Sequence, residues 1–289
     1  MSFSCFCPCG VCVTMCLVAR VIHQISTDRP SDCVLGVTSI DGELFVLLKR
    51  DDNQVAVYSI NDYQLLRHLH LPGLKPSGLN DMTSCVQRKC LFASDSDGKC
   101  IHRYDLSRSS DVSAIMKRIT SRTVTWSVPG SPSGLSVIPG SCNLLVAWDG
   151  LISRPKLVEL RADSGQLVRE ITLDWSIVCL QHAVKLTTGQ YVISHGYGYK
   201  DLYPVCMVDV EGRVIRCYGC QYGSDVGQLA VPRHLVVDED SQFIFVADED
   251  NYSVVLLSST LEFVRHISEG VSRPERLYFH QKTRRLFVG

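Results

Sequence analysis

Short apolar runs, each closed by polar or turn-forming residues, recur along most of the chain and set its architecture. The clearest stretch begins with Val-Pro-Arg-His-Leu-Val-Val-Asp at 231–238 and continues with FIFVAD at 243–248. SVVLL follows at 253–257 and, after a Ser-Ser-Thr turn, FVRHI at 263–267. Four β-branched or aromatic runs separated by turn signals predict four short strands in a meander. No 3.6-residue stripe of useful length competes with that reading.

The four-beat unit repeats. Its first beat reads VLGV at 34–37, PSGL at 76–79, PSGL at 132–135, QHAV at 181–184, PRHL at 232–235 and PERL at 274–277. The equivalent positions are Gly36, Gly78, Gly134, His182, His234 and Arg276, with spacings of 42, 56, 48, 52 and 42 residues. Each spacing accommodates one four-stranded propeller blade. The second beats are LFVLL, LFASD, LLVAWD, YVISHG, IFVADED and LFVG. The expected fold is therefore all-β, a six-bladed β-propeller of four-stranded blades, with the extra length around Ser107 to Arg122 placed before the fourth strand of blade two. The last blade reads as incomplete at Gly289. Ala19 to Ile25 resembles a fourth strand that could close the ring and shield its open edge, and the natural protein is expected to continue further.

Composition changes this picture little. The 289 residues are 45% hydrophobic and 20% charged with a formal net charge of −1, so the chain as a whole has no electrostatic pull toward nucleic acid or anionic membrane. Five of fourteen cysteines crowd into the first sixteen residues, which divides the chain into a Cys-rich N-terminal extension, 1–18, and a propeller domain, 19–289. The other nine lie mostly in apolar runs, where Cys acts as a small hydrophobe, and most are expected to be reduced. No run is long and apolar enough for a membrane-spanning helix. The segment from Phe3 to Ala19 lacks a basic start and is broken by Pro8 and Gly10, so the expected location is cytoplasmic, or secreted if that segment is a signal peptide.

The segment Ala247-Asp248-Glu249-Asp250-Asn251-Tyr252-Ser253-Val254-Val255 resembles the signature of NHL repeats, and Ser94-Asp95-Ser96-Asp97-Gly98-Lys99-Cys100-Ile101 echoes it in blade two. Blades one, three and four depart from it, with Lys49-Arg50, Trp148-Asp149 and Ser194-His195 at the Ala-Asp position. The resemblance implies an NHL-like six-bladed propeller serving as an interaction platform. Some relatives of that kind are fused to ubiquitin ligases or bind RNA, but no RING-like segment is present here.

Candidate chemistry is sparse. His182 and His234 hold equivalent positions, so their imidazoles should converge on the channel. This is similar to the amidating lyases of NHL-like fold, whose repeated histidines bind zinc. A catalytic zinc needs three protein ligands, and the remaining equivalents are glycines and an arginine, so no metal and no cofactor are expected. Asp95, Asp149 and Asp248 read as turn formers. Cys217 and Cys220 form an isolated C-x-x-C, and neither a phosphate loop nor a G-x-S-x-G elbow occurs. The expected function is a non-enzymatic scaffold, monomeric as a domain, that binds a protein or peptide through His182, Tyr199, Arg233, His234, Arg273 and Arg276, since exposed Tyr and Arg are frequent anchors. The alternatives are a metal-dependent lyase or lactonase and an RNA-binding propeller.

Overall fold

The computed structural model describes residues 33–49, 54–75, 80–106, 120–149, 154–196 and 204–289. The N-terminal extension, Ala19–Ile25, Gly78 and Tyr199 lie outside the described residues. Five antiparallel four-stranded meanders follow one another in the chain. Blade one holds β1 (Val34–Ile40), β2 (Glu43–Leu48), β3 (Gln54–Ser59) and β4 (Leu65–His70). Blade two holds β5 (Met82–Cys85), β6 (Cys90–Asp95), β7 (Cys100–Leu106) and β8 (Thr120–Ser127), and blade three β9 (Ser131–Val137), β10 (Leu144–Asp149), β11 (Lys156–Leu160) and β12 (Leu167–Thr172). Blade four holds β13 (Leu180–Lys185), β14 (Tyr191–His195), β15 (Val205–Val208) and β16 (Val214–Tyr218). A small parallel pair, β17 (Gln221–Tyr222) and β18 (Gln228–Leu229), precedes blade five, made of β19 (Pro232–Val237), β20 (Ile244–Asp248), β21 (Ser253–Leu257) and β22 (Phe263–Ile267). A two-stranded hairpin, β23 (Leu277–His280) and β24 (Arg285–Val288), ends the series.

The first strands touch in succession, β1 to β5, β9, β13, β19, β23 and back to β1, so they surround a central axis in the arrangement of a β-propeller. All begin at one end of the ring, here called the upper end, and turn back into their second strands at the lower end. Inner strands are buried on both faces because neighbouring blades pack on them; the outermost show exposed apolar positions such as Leu65, Leu167 and Ile215. The core is a set of inter-blade layers: Phe45, Leu91 and Tyr104 between blades one and two, and Tyr191, Ile193 and Leu157 between blades three and four.

A register shift recurs at the start of the first strands. It falls between Val34 and Gly36, Leu180 and His182, and Pro232 and His234, and opposite the Ala147/Trp148 step at Pro132 and Gly134. Each leaves one residue unpaired, a β-bulge that bends the strand inward. Arg276 bonds Gly289 through both backbone groups, which matches His234 opposite Ala247. These registers confirm the sequence equivalence of Gly36, Gly134, His182, His234 and Arg276.

Blade two departs from expectation. Its first strand is Met82–Cys85, and Met82 faces Ala93 as Leu235 faces Val246. Asp81, whose carbonyl accepts from Ser94 N, is therefore the residue in register with His234, not Gly78. The PSGL echo at 76–79 is thus displaced by three residues from the structural repeat. Its fourth strand starts at Thr120, inside the stretch expected to precede it.

The glycines at the inner positions allow close approach between blades. A Cβ on Gly134 would lie 2.6 Å from Gln181 O and 2.8 Å from His182 Cδ2, and one on Gly36 would lie 2.5 Å from Met82 Cβ. Gly134 therefore leaves the space into which the His182 ring packs.

Candidate functional site

Three of the expected residues converge. His182, His234 and Arg276 meet on the axis, and a fourth that sequence reasoning did not find, Asp81, sits among them. Asp81 stands at the inner position of blade two, directly before Met82, and is buried to 1% exposure. Its Oδ2 lies 3.6 Å from Nε2 of both His182 and His234, and its Oδ1 lies 3.7 Å from Arg276 Nε. Backbone amides complete the carboxylate: Leu135 N donates to Oδ2 and Met82 N to Oδ1, each at 2.8 Å. Arg276 donates to Leu35 O and Asn80 O at 2.9 Å. His182 donates from Nε2 to Leu135 O at 3.1 Å, and its ring stacks on that of His234 with centroids 3.8 Å apart. The cluster joins all six first strands.

The electrostatics follow from burial. Burial pushes the Asp81 carboxyl up, but His234, Arg276 and His182 outweigh it and hold the group well below the carboxylate range. Burial, then the neighbouring His234, pushes His182 down to about 3, so its imidazole is neutral at pH 7. Because Nε2 carries the proton given to Leu135 O, Nδ1 is bare, and it has no hydrogen-bond partner among the described residues.

Asp81, His182 and His234 place three ligand atoms within 4.8 Å of one another, the count a catalytic zinc requires. Two features oppose a cation there. Arg276 already supplies the countercharge, and the His182 Nε2 that faces the carboxylate is occupied by its own proton. The expectation of glycine at the inner position of blade two fails, because Asp81 and not Gly78 holds it. The cluster is a polar plug across the channel. Below it lies a cavity of about 270 Å³, lined by residues of every blade including Thr38, Ser84, Ser136, Lys185, Tyr278 and Gln281.

Arg233 and Arg273 form a second group, at the upper end. Both grip Glu249, Arg233 Nε at 2.6 Å and Arg273 through its guanidinium at 2.5 Å. Burial raises the Glu249 carboxyl, but the two arginines bring it below its ordinary value. Arg273 remains more than half exposed.

The same end carries an apolar feature that strand patterning did not single out. Among the described residues the exposed large aromatic side chains are Trp175, Tyr222 and Tyr252, with Val178 and Val226 beside them in sequence. Trp175 and Val178 lie between β12 and β13, Tyr222 and Val226 between β16 and β19, and Tyr252 between β20 and β21. All these connections are at the upper end, in the sector of blades four and five. The Arg154 guanidinium lies 5.2 Å above the Trp175 ring.

Of the carboxylates expected as turn formers, Asp95 accepts from an amide of its own turn, whereas Asp248 is held by amides of the preceding connection. Asp248 Oδ1 accepts from Ala230 N and Val231 N at 2.9 Å, and its Oδ2 accepts from Asn251. Asp95 accepts from Gly98 N within its turn and from Lys75 N in the preceding connection. Of the nine later cysteines, seven are free; Cys206 and Cys217, opposite each other on β15 and β16, form a disulfide. Cys217 is therefore not half of a C-x-x-C ligand pair, and Cys220 stands alone and exposed.

No family model and no curated protein matches the chain. Solved structures do. A Kuenenia stuttgartiensis hydrazine synthase chain aligns with TM-score 0.59 at 12% identity, covering 89% of this chain and 83% of that one. A chain from a nidogen/laminin complex aligns with TM-score 0.59 at 11% identity, covering 89% and 84%. The chain shares the β-propeller fold. A protein of unknown function from Bacteroides caccae gives the same score at 16% identity over 83% of this propeller and 79% of its own chain. At such identities the likeness extends to the fold alone. Among the described residues no helix is long and apolar enough to cross a membrane.

Proposed function

We propose that this propeller is a non-enzymatic binding scaffold that takes up a protein or peptide segment on the upper end of the ring, over blades four and five. The observation that carries the reading is the gathering of Trp175, Tyr222 and Tyr252 at that one end, with Arg154 and Arg273 among them. Trp, Tyr and Arg contribute most to binding when a partner desolvates them, because each combines a large apolar surface with a directional polar tip. Glu249 holds Arg233 and Arg273 in place, which lowers the entropy lost on binding. One of the similar propellers comes from a nidogen/laminin complex, an example of this fold in a protein assembly.

We read the β23–β24 hairpin as the inner half of a sixth, NHL-like blade, since Arg276 shares the register of His182 and His234. The plug supports a scaffold over an enzyme, because its carboxylate is already matched by Arg276 and backbone amides. The seven free thiols among the described residues support a reducing, cytoplasmic setting.

The test is selection of a displayed random-peptide library on the purified chain, followed by affinity measurement on a Trp175→Ala/Tyr252→Ala variant. The expected result is a selected sequence class whose affinity falls at least roughly tenfold in the variant. Selected peptides that bind both proteins equally would overturn the assignment of this surface.

A further inference from the structure

A second buried cluster lies in blade two, away from the plug and from the partner surface. Asp95, Cys100 and His102 each show 8% exposure or less and place three ligand atoms within 4.8 Å of one another. Cys100 Sγ is 3.4 Å from His102 Nε2, and Asp95 Oδ2 is 3.6 Å from the same nitrogen. The β6–β7 register explains the convergence. Asp95 pairs directly with Cys100, so their side chains leave the same face of the sheet, and His102, two residues on, shares that face.

We propose that Asp95, Cys100 and His102 form a binding site for a zinc-class divalent cation. Tetrahedral zinc with bonds near 2.0–2.3 Å sets its ligand atoms roughly 3.3–3.6 Å apart, which matches both separations to His102 Nε2. A thiolate, an imidazole and one carboxylate form a borderline-soft set suited to zinc rather than to calcium or magnesium. The outward nitrogen, His102 Nδ1, is 3.0 Å from Thr125 Oγ1, the partner that fixes a ligating imidazole with Nε2 bare toward the metal. Asp95 is held by Gly98 N and Lys75 N, so the carboxylate is in place before a metal arrives. On binding, Cys100 gives up its thiol proton to solvent as the metal–sulfur bond forms, and the fourth position is left to water.

The other blades supply an internal control. The equivalents of Asp95 and Cys100 in blade five are Asp248 and Ser253, with Val255 at the His102 position, and there the carboxylate is filled by amides of the preceding connection and by Asn251. Blade three offers Trp148 and Lys156 at the paired positions. Among the described blades only blade two joins Cys and His to the acid. Unlike the plug, its carboxylate has no arginine within ion-pair reach among the described residues.

The test uses the full chain, loaded with zinc or cobalt(II) and desalted, beside Cys100→Ser, Thr125→Val and His182→Gln. Wild type should retain one metal equivalent more than Cys100→Ser, release a proton as that equivalent binds, and show a thiolate-to-cobalt charge-transfer band that Cys100→Ser lacks. Thr125→Val touches no ligand atom and should weaken zinc binding about 10-fold or more. His182→Gln should keep the equivalent. Equal metal content and equal cobalt spectra in wild type and Cys100→Ser, or zinc affinity unchanged in Thr125→Val, would overturn the site. Should Cys100→Ser fail to fold, the Thr125→Val affinity decides.

Discussion

Blades two and five place an acid at the same register, at the end of the second strand, yet they put it to different uses. In blade five, Asp248 is saturated by two amides and Asn251, and Glu249 next to it holds the arginines of the upper end. In blade two, Asp95 faces Cys100 and His102, and Asp81 reaches the axis at the position that His234 holds in blade five. The difference teaches that a propeller repeat fixes where a side chain stands, while its role depends on the charges and donors that neighbouring blades place around it. Asp81 has a guanidinium and two amides and closes the channel. Asp95 has two amides and two potential ligands and can still accept a cation.

The comparison breaks most severely at Asp81. Asp81→Leu strips Arg276 of its buried counter-ion and leaves Leu135 N and Met82 N without acceptors, and should cost about 3–5 kcal/mol by denaturant unfolding. Arg233→Met, next to the equivalent His234 of blade five, should cost less than about 1 kcal/mol because that arginine is part-exposed. Equal losses would show that the two sites are not distinguished by burial of charge.

Acid should act next. The His182 imidazole is pushed down to about 3 and His195, also by burial, to about 4, against 6.5 for the free side chain. Between those values the unfolded chain binds protons that the native chain refuses, so stability is full above pH 6.5 and falls as pH drops. Each such group contributes a slope of up to about 1.4 kcal/mol per pH unit within its window. Asp81, lowered in the fold, adds loss in the same direction below pH 3.8. Unfolding midpoints across pH 4–7 check this, and His195→Asn should flatten the slope. A flat profile would contradict neutral buried imidazoles.

Much of the fold was legible because side-chain alternation and turn chemistry repeat at blade length, and the registers confirm five of the six inner positions read from them. Blade two slipped because PSGL at 76–79 copies PSGL at 132–135 in letters, whereas pairing with β6 decides which residue faces the axis. Asn80-Asp81, a polar pair directly before an apolar residue, was the available signal for a carboxylate there. Asp95, Cys100 and His102 were visible as letters, but their convergence needs the Asp95–Cys100 register. Trp175, Tyr222 and Tyr252 sit in connections with no periodicity, so only the ring geometry shows that they share one end.

Smaller effects sharpen the comparison. Gly98→Ala would place a Cβ 2.7 Å from Asp95 Oδ2, crowding the blade-two acid, and should cost about 1–2 kcal/mol. Gly189, with open space around its Cα, has φ +88, so Ala there should cost a similar amount through backbone strain alone. Zinc binding separates the two, because only Gly98→Ala should weaken it. Smallest of all, Trp175→Ala should change unfolding free energy by no more than about 0.5 kcal/mol, since its ring is 61% exposed.

The most direct test of the account is the affinity of one library-selected peptide for three proteins: wild type, Trp175→Ala/Tyr252→Ala at the upper end, and Lys185→Ala/Tyr278→Phe in the cavity below the plug. The account predicts at least a roughly tenfold loss in the first variant and unchanged affinity in the second. Loss confined to the cavity variant would contradict it and make the channel beneath Asp81, His182 and His234 the binding site.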